Sequence, residues 1–493
     1  MGVIPAGVLR SKAVKVTAAG LAVAALCTAV IAVSSDDPLP GPVGLAPLPT
    51  LSGPPSSRAP RVPTAELGKV LLERDPKASP NARSVYQMLA DLERDARAGK
   101  PRGTVVGQHV EVQNELYNPS YGDYAGTKTA GYYYKKAIDI TGKLPGFVEA
   151  DLGPGYGQST WGVGNPRSYS KDKWPSCSAK WQYADDAVDL LTAVWSGHPR
   201  PDDGTYGASG VQQNCDGTTT MLPDNGGGPA GIVGMSFHEP YPGSPTKSFD
   251  RVLCENSPAA TDRGWFGRVV DESSGTAENR ALMEDLRYLA DHLEYLAAHD
   301  VPVLYRPYHE MNVPGCNRSF WWSGQSGTDF QKLWKITYRY LVETRGLHNL
   351  IFVWTPVSWD GAPGVDPWGY YPGAQYVDVV GVDDYSGSPR DPIGTGEVWT
   401  KRYYDGLAAY NKPRMLAESF AVPVNSRQKD TLKRTPWTVW TVWGQSLTEK
   451  NVTPGQVVNS RADVKETYNS PMAITGGYGR FGVNFDWSAL HMG

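Results

Sequence analysis

Between residues 277 and 300, Leu282, Leu286, Leu289, Leu293 and Leu296 recur four and three apart, which predicts a helix with one apolar face. The run VPVLYRPYHE (301–310) follows at once and predicts a strand. A second helix, 329–345, carries Phe330, Leu333, Trp334, Tyr338 and Leu341 on a similar stripe, and the strand run NLIFVWTP (349–356) follows it. Further strand runs fall at 104–108, 146–150, 232–238, 377–382, 414–418 and 481–486, which makes eight. Near-continuous apolar strands separated by helices imply a parallel sheet covered by helices. Eight of them predict an α/β fold, a (β/α)8 TIM barrel with long loop insertions; a doubly wound open sheet is the alternative.

Polar residues collect where such a barrel builds its site, at the C-terminal ends of the strands. Gln108 and His109 end the first predicted strand, Glu149 and Asp151 the second, and His238 and Glu239 the third. His309 and Glu310 end the fourth, Asp383, Asp384 and Tyr385 the sixth, Glu418 the seventh, and Asp486 and Trp487 the eighth. Strand parity places Arg306, Tyr308 and Glu310 on one face, with His309 turned the other way unless the strand has ended. If Glu310 faces the barrel axis, Arg306 lies beneath it and needs an anionic partner such as Glu418. Two carboxylic acids at one mouth are the equipment for glycoside cleavage, and Glu310 and Glu418 are the natural pair.

Other chemistries lack their signatures. HEMNV (309–313) has Val313 where a zinc-protease helix needs its second His. No phosphate loop is present, Gly153, Gly155 and Gly157 complete no dinucleotide fingerprint, and GMSFH continues with Phe237 and His238 rather than as a nucleophile elbow. The sequence calls for no metal or organic cofactor.

Outside the barrel region, Arg10, Lys12 and Lys15 precede an uncharged run from 16 to 33, the pattern of an export signal. Uncleaved, residues 16–33 would serve as a membrane tether. Either way residues 1–33 direct the rest out of the cytoplasm as a secreted chain. Residues 34–63 form a linker: nine of the 28 residues from Asp36 to Pro63 are proline. That leaves 64–493 as one catalytic domain, expected to be monomeric. Setting Cys27 aside, Cys177, Cys215, Cys254 and Cys316 predict two disulfides in one of three connectivities. The formal charge of −4 argues against a nucleic-acid partner, and the 16 Trp and 27 Tyr exclude a disordered chain. Residues 153–229 look like a long insertion after the second strand, with Trp161, Trp174 and Trp181 as candidate stacking residues.

The segment YRPYHEMN (305–312), followed by Phe320-Trp321-Trp322, strongly resembles the acid/base region of glycoside hydrolase family 26, best known for endo-β-1,4-mannanases. GQH (107–109), SFHEP (236–240), VVGVDDY (379–385), AESF (417–420) and FDWS (485–488) match as well. The resemblance covers roughly residues 100–493. It implies a retaining (β/α)8 glycosidase with Glu310 as general acid/base and Glu418 as nucleophile. His238 and His309 would contact the sugar, Tyr385 would hydrogen-bond the nucleophile and Trp487 would form the sugar platform; Trp322 and Arg306 would belong to the same substrate site. The implied partner is a polysaccharide, mannan or glucomannan. The family also holds β-1,3-1,4-glucanases and β-1,3-xylanases, and a barrel that had lost its chemistry would be a carbohydrate-binding protein. Ser319 stands where many members carry a leaving-group-side Trp, within a connection, 313–319, that is longer than usual.

Overall fold

The computed structural model describes residues 74–110, 132–153, 183–197, 211–213, 219–221, 229–316, 319–359, 364–384, 403–423, 431–447, 459–477 and 485–487. The export-signal segment, the linker, Cys177, Cys215, Trp161, Trp174, Trp181 and Tyr385 lie outside these residues.

Eight parallel strands close into a barrel: β1 (Thr104–His109), β2 (Phe147–Asp151), β3 (Ile232–Ser236), β4 (Val303–Arg306), β5 (Leu350–Trp354), β6 (Val379–Asp383), β7 (Arg414–Glu418) and β8 (Val439–Trp443). β8 pairs with β7 and, through Val105↔Val439 to His109↔Trp443, with β1, which removes every edge. Every strand residue is buried, as expected of strands covered on both faces.

Closure corrects one expectation. The eighth barrel strand is VWTVW at Val439–Trp443, not the run at 481–486. Both runs are apolar, so hydropathy alone does not separate them. Only pairing with β7 and β1 makes 439–443 the closing strand. Two-residue pairing at Ala473–Ile474 adds a short strand beside the N-terminal end of β1. The chain then crosses beneath β2 and β3, where Gly476 N donates to Leu144 O and Gly477 N to Ala230 O.

Helices α1 (Pro80–Arg97), α2 (Tyr132–Thr141), α3 (Tyr183–Trp195), α4 (Ala277–Ala298), α5 (Gly327–Tyr338) and α6 (Arg461–Tyr468) surround the strands. The Thr276 side chain caps α4 by accepting from Asn279 N, and its five predicted leucines are all buried. Each contributes on the order of 2 kcal/mol by leaving water. After α5 the chain continues as a π turn, Arg339–Thr344, so the predicted helix to 345 changes pitch at 339. In β3, Gly234 is required because the Phe147 ring lies 2.4 Å from where its Cβ would stand.

Candidate active site

The C-terminal ends of the strands bring four acidic side chains around one buried cation. Arg306 ends β4 and is 1% exposed. Its Nε donates to Glu149 Oε1 at 2.9 Å, one terminal nitrogen to Asp383 Oδ2 at 3.1 Å, and the other to Glu418 Oε1. Burial disfavours the charge on Arg306, but Glu149, Glu418 and Asp383 outweigh it and raise its pKa further. Glu310 completes the group: oxygens of Glu310, Asp383 and Glu418 lie within 4.8 Å of one another. A carboxylate trio of this size has the spacing of a cation site, yet the guanidinium already supplies the positive charge to two of its members.

The chain turns sharply to present Glu310. β4 stops at Arg306, and Tyr308 (φ 48°) and Glu310 (φ 55°) take left-handed backbone conformations. Such residues cost on the order of 1–3 kcal/mol each and persist where surrounding contacts fix them. Here the contacts are Glu310 N to Thr355 O at 2.9 Å, Trp322 Nε1 to His309 O at 2.7 Å, and Ser323 Oγ to Glu310 O at 2.9 Å. The turn breaks strand parity. Tyr308 points away from the mouth, its hydroxyl 2.9 Å from Thr337 Oγ1 on α5, while His309 enters the mouth beside His238 and Glu418. Trp322 is fully buried, against Phe320, Trp321 and Tyr308. It supports the Glu310 turn instead of offering a free face to a sugar, which corrects its expected role. Arg306 likewise acts through the carboxylates it holds.

A hydrogen-bonded chain runs across the ends of the adjacent strands β2, β3 and β4. His238 Nδ1 is 2.8 Å from Asp151 Oδ2, and His238 Nε2 is 3.2 Å from His309 Nε2. Burial, then Arg306, His238 and His109, pushes the His309 pKa well below its ordinary value, so its ring is neutral. The facing Nε2 atoms share a proton between them, which ties the His309 ring to His238. Burial opposes ionisation of Asp151, but His238, His109 and the Ser236 hydroxyl prevail and hold its carboxyl below the usual range. The opposite holds for Glu310: burial and then the Glu418 charge push it up to about 8, with Arg306 acting against them. One carboxyl is thus protonated at neutral pH beside another that is ion-paired.

Trp443, the last residue of β8, is the site residue that the sequence pattern missed. Its indole N–H donates to Glu418 Oε2 at 3.2 Å, and its ring centroid lies 4.2 Å from that of His109. Trp487 is buried at the barrel's other end, where its N–H donates to Thr475 O in the segment crossing beneath β2 and β3. It is therefore not the mouth platform expected of it. The signal for Trp443 was available in the apolar run after Pro436. Glu149 and Asp383 were legible as strand-end acids, although their joint hold on Arg306 was not. Ser319 is buried; its hydroxyl donates to Gly315 O at 2.8 Å and its backbone carbonyl accepts from Cys254 N. Cys254 and Cys316 form a disulfide that ties down this connection.

The family model for glycosyl hydrolase family 26 matches residues 163–453, more than half of the chain. The chain belongs to that family. This family 26 chain is 32% identical over 216 residues to a mannan endo-1,4-beta-mannosidase of Bacillus subtilis, covering 42% of this chain and 51% of that protein. Over 353 residues it is 25% identical to mannan endo-1,4-beta-mannosidase A and B of Caldalkalibacillus mannanilyticus, covering 70% and 51%. It thus spans about half the length of these curated relatives. A GH26A structure from Muricauda superposes with a TM-score of 0.53 at 22% identity, over 81% of this chain and 98% of that one. A beta-mannanase from a symbiotic protist of the termite Reticulitermes speratus, complexed with gluco-manno-oligosaccharide, gives 0.54 at 21%, over 82% and 95%. At these identities the superpositions establish the shared (β/α)8 fold.

Proposed function

We propose that this family 26 chain is a glycoside hydrolase that cleaves β-1,4-mannan or a related β-glycan within the chain, by a retaining double displacement, outside the cytoplasm. One observation carries the reading: the Glu310 and Glu418 oxygens lie within 4.8 Å. Retaining enzymes hold their carboxyl groups about 5–5.5 Å apart, whereas inverting ones need about 6.5–9.5 Å to admit water.

The Glu418 carboxylate attacks the anomeric carbon while the Glu310 carboxyl proton passes to the departing glycosidic oxygen. An ester to Glu418 forms and the glycosidic bond breaks. Water then attacks the anomeric carbon, gives its proton to the Glu310 carboxylate, and releases Glu418. Arg306 and the Trp443 indole hold the two Glu418 oxygens, which aims the nucleophile. His309, fixed by His238 and Asp151, presents a neutral ring next to the reacting centre. Mannan is favoured because the relatives are mannan endo-1,4-beta-mannosidases.

The test is hydrolysis of mannan, glucomannan, mixed-linkage glucan and β-1,3-xylan, with product configuration followed by NMR. Glucan and xylan belong in the panel because Ser319 is buried and offers no aromatic face. Net inversion overturns the mechanism. Binding of a polymer without cleavage by wild type, unchanged in Glu310→Ala and Glu418→Ala, makes the chain a carbohydrate-binding protein instead.

A further inference from the structure

Two consecutive pairs stand back to back in the wall behind Glu310. His238 and His309 meet inside the mouth, so their chain neighbours, Glu239 and Tyr308, are turned outward toward α4 and α5. Glu239 is 1% exposed, and neither of its carboxyl oxygens has a hydrogen bond of ordinary geometry among the described residues. Among the described residues, the charged and titratable groups facing it are Asp285 from α4, Lys247 from the loop after β3, Tyr305 from β4 and Tyr308 from the catalytic turn. Lys247 Nζ is 2.6 Å from Asp285 Oδ1. Two buried carboxyls therefore share one cation, and that cation is bonded to Asp285. Low-dielectric surroundings do not sustain the surplus negative charge, so a proton stays in the pair. Burial and then the Asp285 charge raise the Glu239 pKa well above that of an ordinary carboxyl, in accord with this count.

We propose that Glu239 is kept as a neutral carboxylic acid and is a positioning residue, holding Tyr308 and through it the left-handed turn that presents Glu310. The Tyr308 hydroxyl lies between Glu239 and Thr337, and its ring packs on Trp321 and Trp322. Trp321 donates its indole N–H to Glu239 O, and Trp322 donates to His309 O. Glu239 thus touches the same scaffold that fixes the catalytic turn without reaching the mouth. Ionisation of Glu239 would remove the acid O–H that can donate to the Tyr308 hydroxyl and would add a second buried negative charge beside Asp285.

The effect on turnover rests on the hydrolase reading above, whereas the protonation and the turn geometry do not. In protein labelled with carboxyl-13C glutamate, a resonance that remains in the protonated range at pH 7 is expected to vanish in Glu239→Gln and to persist in Glu310→Gln. The Trp322 indole N–H resonance is expected to shift in Glu239→Ala and in Tyr308→Phe, and to stay in place in Glu239→Gln, whose amide keeps a neutral donor. On whichever polymer wild type cleaves, Glu239→Ala should lower kcat at least about tenfold with KM nearly constant, as for a displaced catalytic group. Glu239→Gln should recover most of that loss, and Glu239→Ala with Tyr308→Phe should lose less than the product of the two separate effects. An ionised Glu239 at pH 7, or an unmoved Trp322 resonance in Glu239→Ala, overturns the proposal even if wild type proves inactive. Failure of wild type on every polymer, with both NMR results as expected, sinks the hydrolase reading alone.

Discussion

The indole N–H of Trp443 donates to Oε2 of Glu418 across 3.2 Å, while Arg306 holds the other oxygen of the same carboxylate. The nucleophile candidate is thereby clamped from two strands, β8 and β4. Trp443→Phe keeps the ring against His109 and deletes only the donor. A hydrogen bond to a charged group contributes about 1.5–3 kcal/mol, so kcat/KM should fall by roughly 10- to 100-fold with the fold intact. Trp487→Phe, at the other end of the barrel, should lower the melting temperature and leave kcat unchanged. Equal kinetic effects from the two variants would contradict this assignment of the mouth.

The roles of the two glutamates separate with aryl glycosides and azide. A substrate with a good leaving group does not need an acid for the first step, so Glu310→Ala should form the glycosyl-enzyme at a near-normal rate and release it slowly. Azide should restore turnover and give a product of retained configuration. Glu418→Ala should be rescued by azide with inverted configuration. The anomeric configuration of each azide, read by NMR, decides between these assignments and their exchange.

The raised pKa of Glu310 predicts a pH profile. In the proposed mechanism its proton is needed for catalysis, so kcat/KM should fall above about pH 8, where that proton is lost. Stability follows the same sign. Glu310 and Glu149 are raised to about 8 and about 7, so each favours the fold most below its ordinary value near 4.5 and ceases to as pH rises through the folded value. His109 and His309, whose pKa values burial lowers, act oppositely and only below about pH 6.5. Between pH 7 and 9 the melting temperature should therefore decline, and more gently in Glu310→Gln. A flat wild-type profile over that interval would be incompatible with a protonated Glu310.

Removing the shared cation should be more damaging than removing any one of its partners. Arg306→Met leaves Glu149, Asp383 and Glu418 buried without it, a change that costs about 3–5 kcal/mol for a broken buried pair. Denaturant unfolding should show that loss. Glu149→Gln retains two of the three ion pairs and should lose less.

The Cys254–Cys316 bridge closes a loop with a sequence separation of 62. Chain-entropy arguments give about 4 kcal/mol for a loop of that size, with measured bridges commonly about 2–4 kcal/mol. Cys316→Ser should lower the melting temperature accordingly and abolish any further effect of reductant on this connection.

What the sequence determined is local and periodic. Leucines at helical spacing fixed α4, apolar runs located seven of the eight strands, and the acids and histidines at their ends marked Glu310, Glu418, His238 and His309. These were legible because strand ends and helix faces follow from alternation along a few residues. The tertiary structure decided what depends on partners distant in the chain. Closure on β1 chose Val439–Trp443 as the eighth strand and brought Trp443 to Glu418, while it left Trp487 beneath the barrel. The carbonyl of Thr355 and the side chains of Trp322 and Ser323 hold Glu310 in a left-handed turn, which sends Tyr308 outward and His309 inward against simple alternation. No local pattern encodes that reversal, because its cost is offset by hydrogen bonds to the residue after β5 and from the segment before α5.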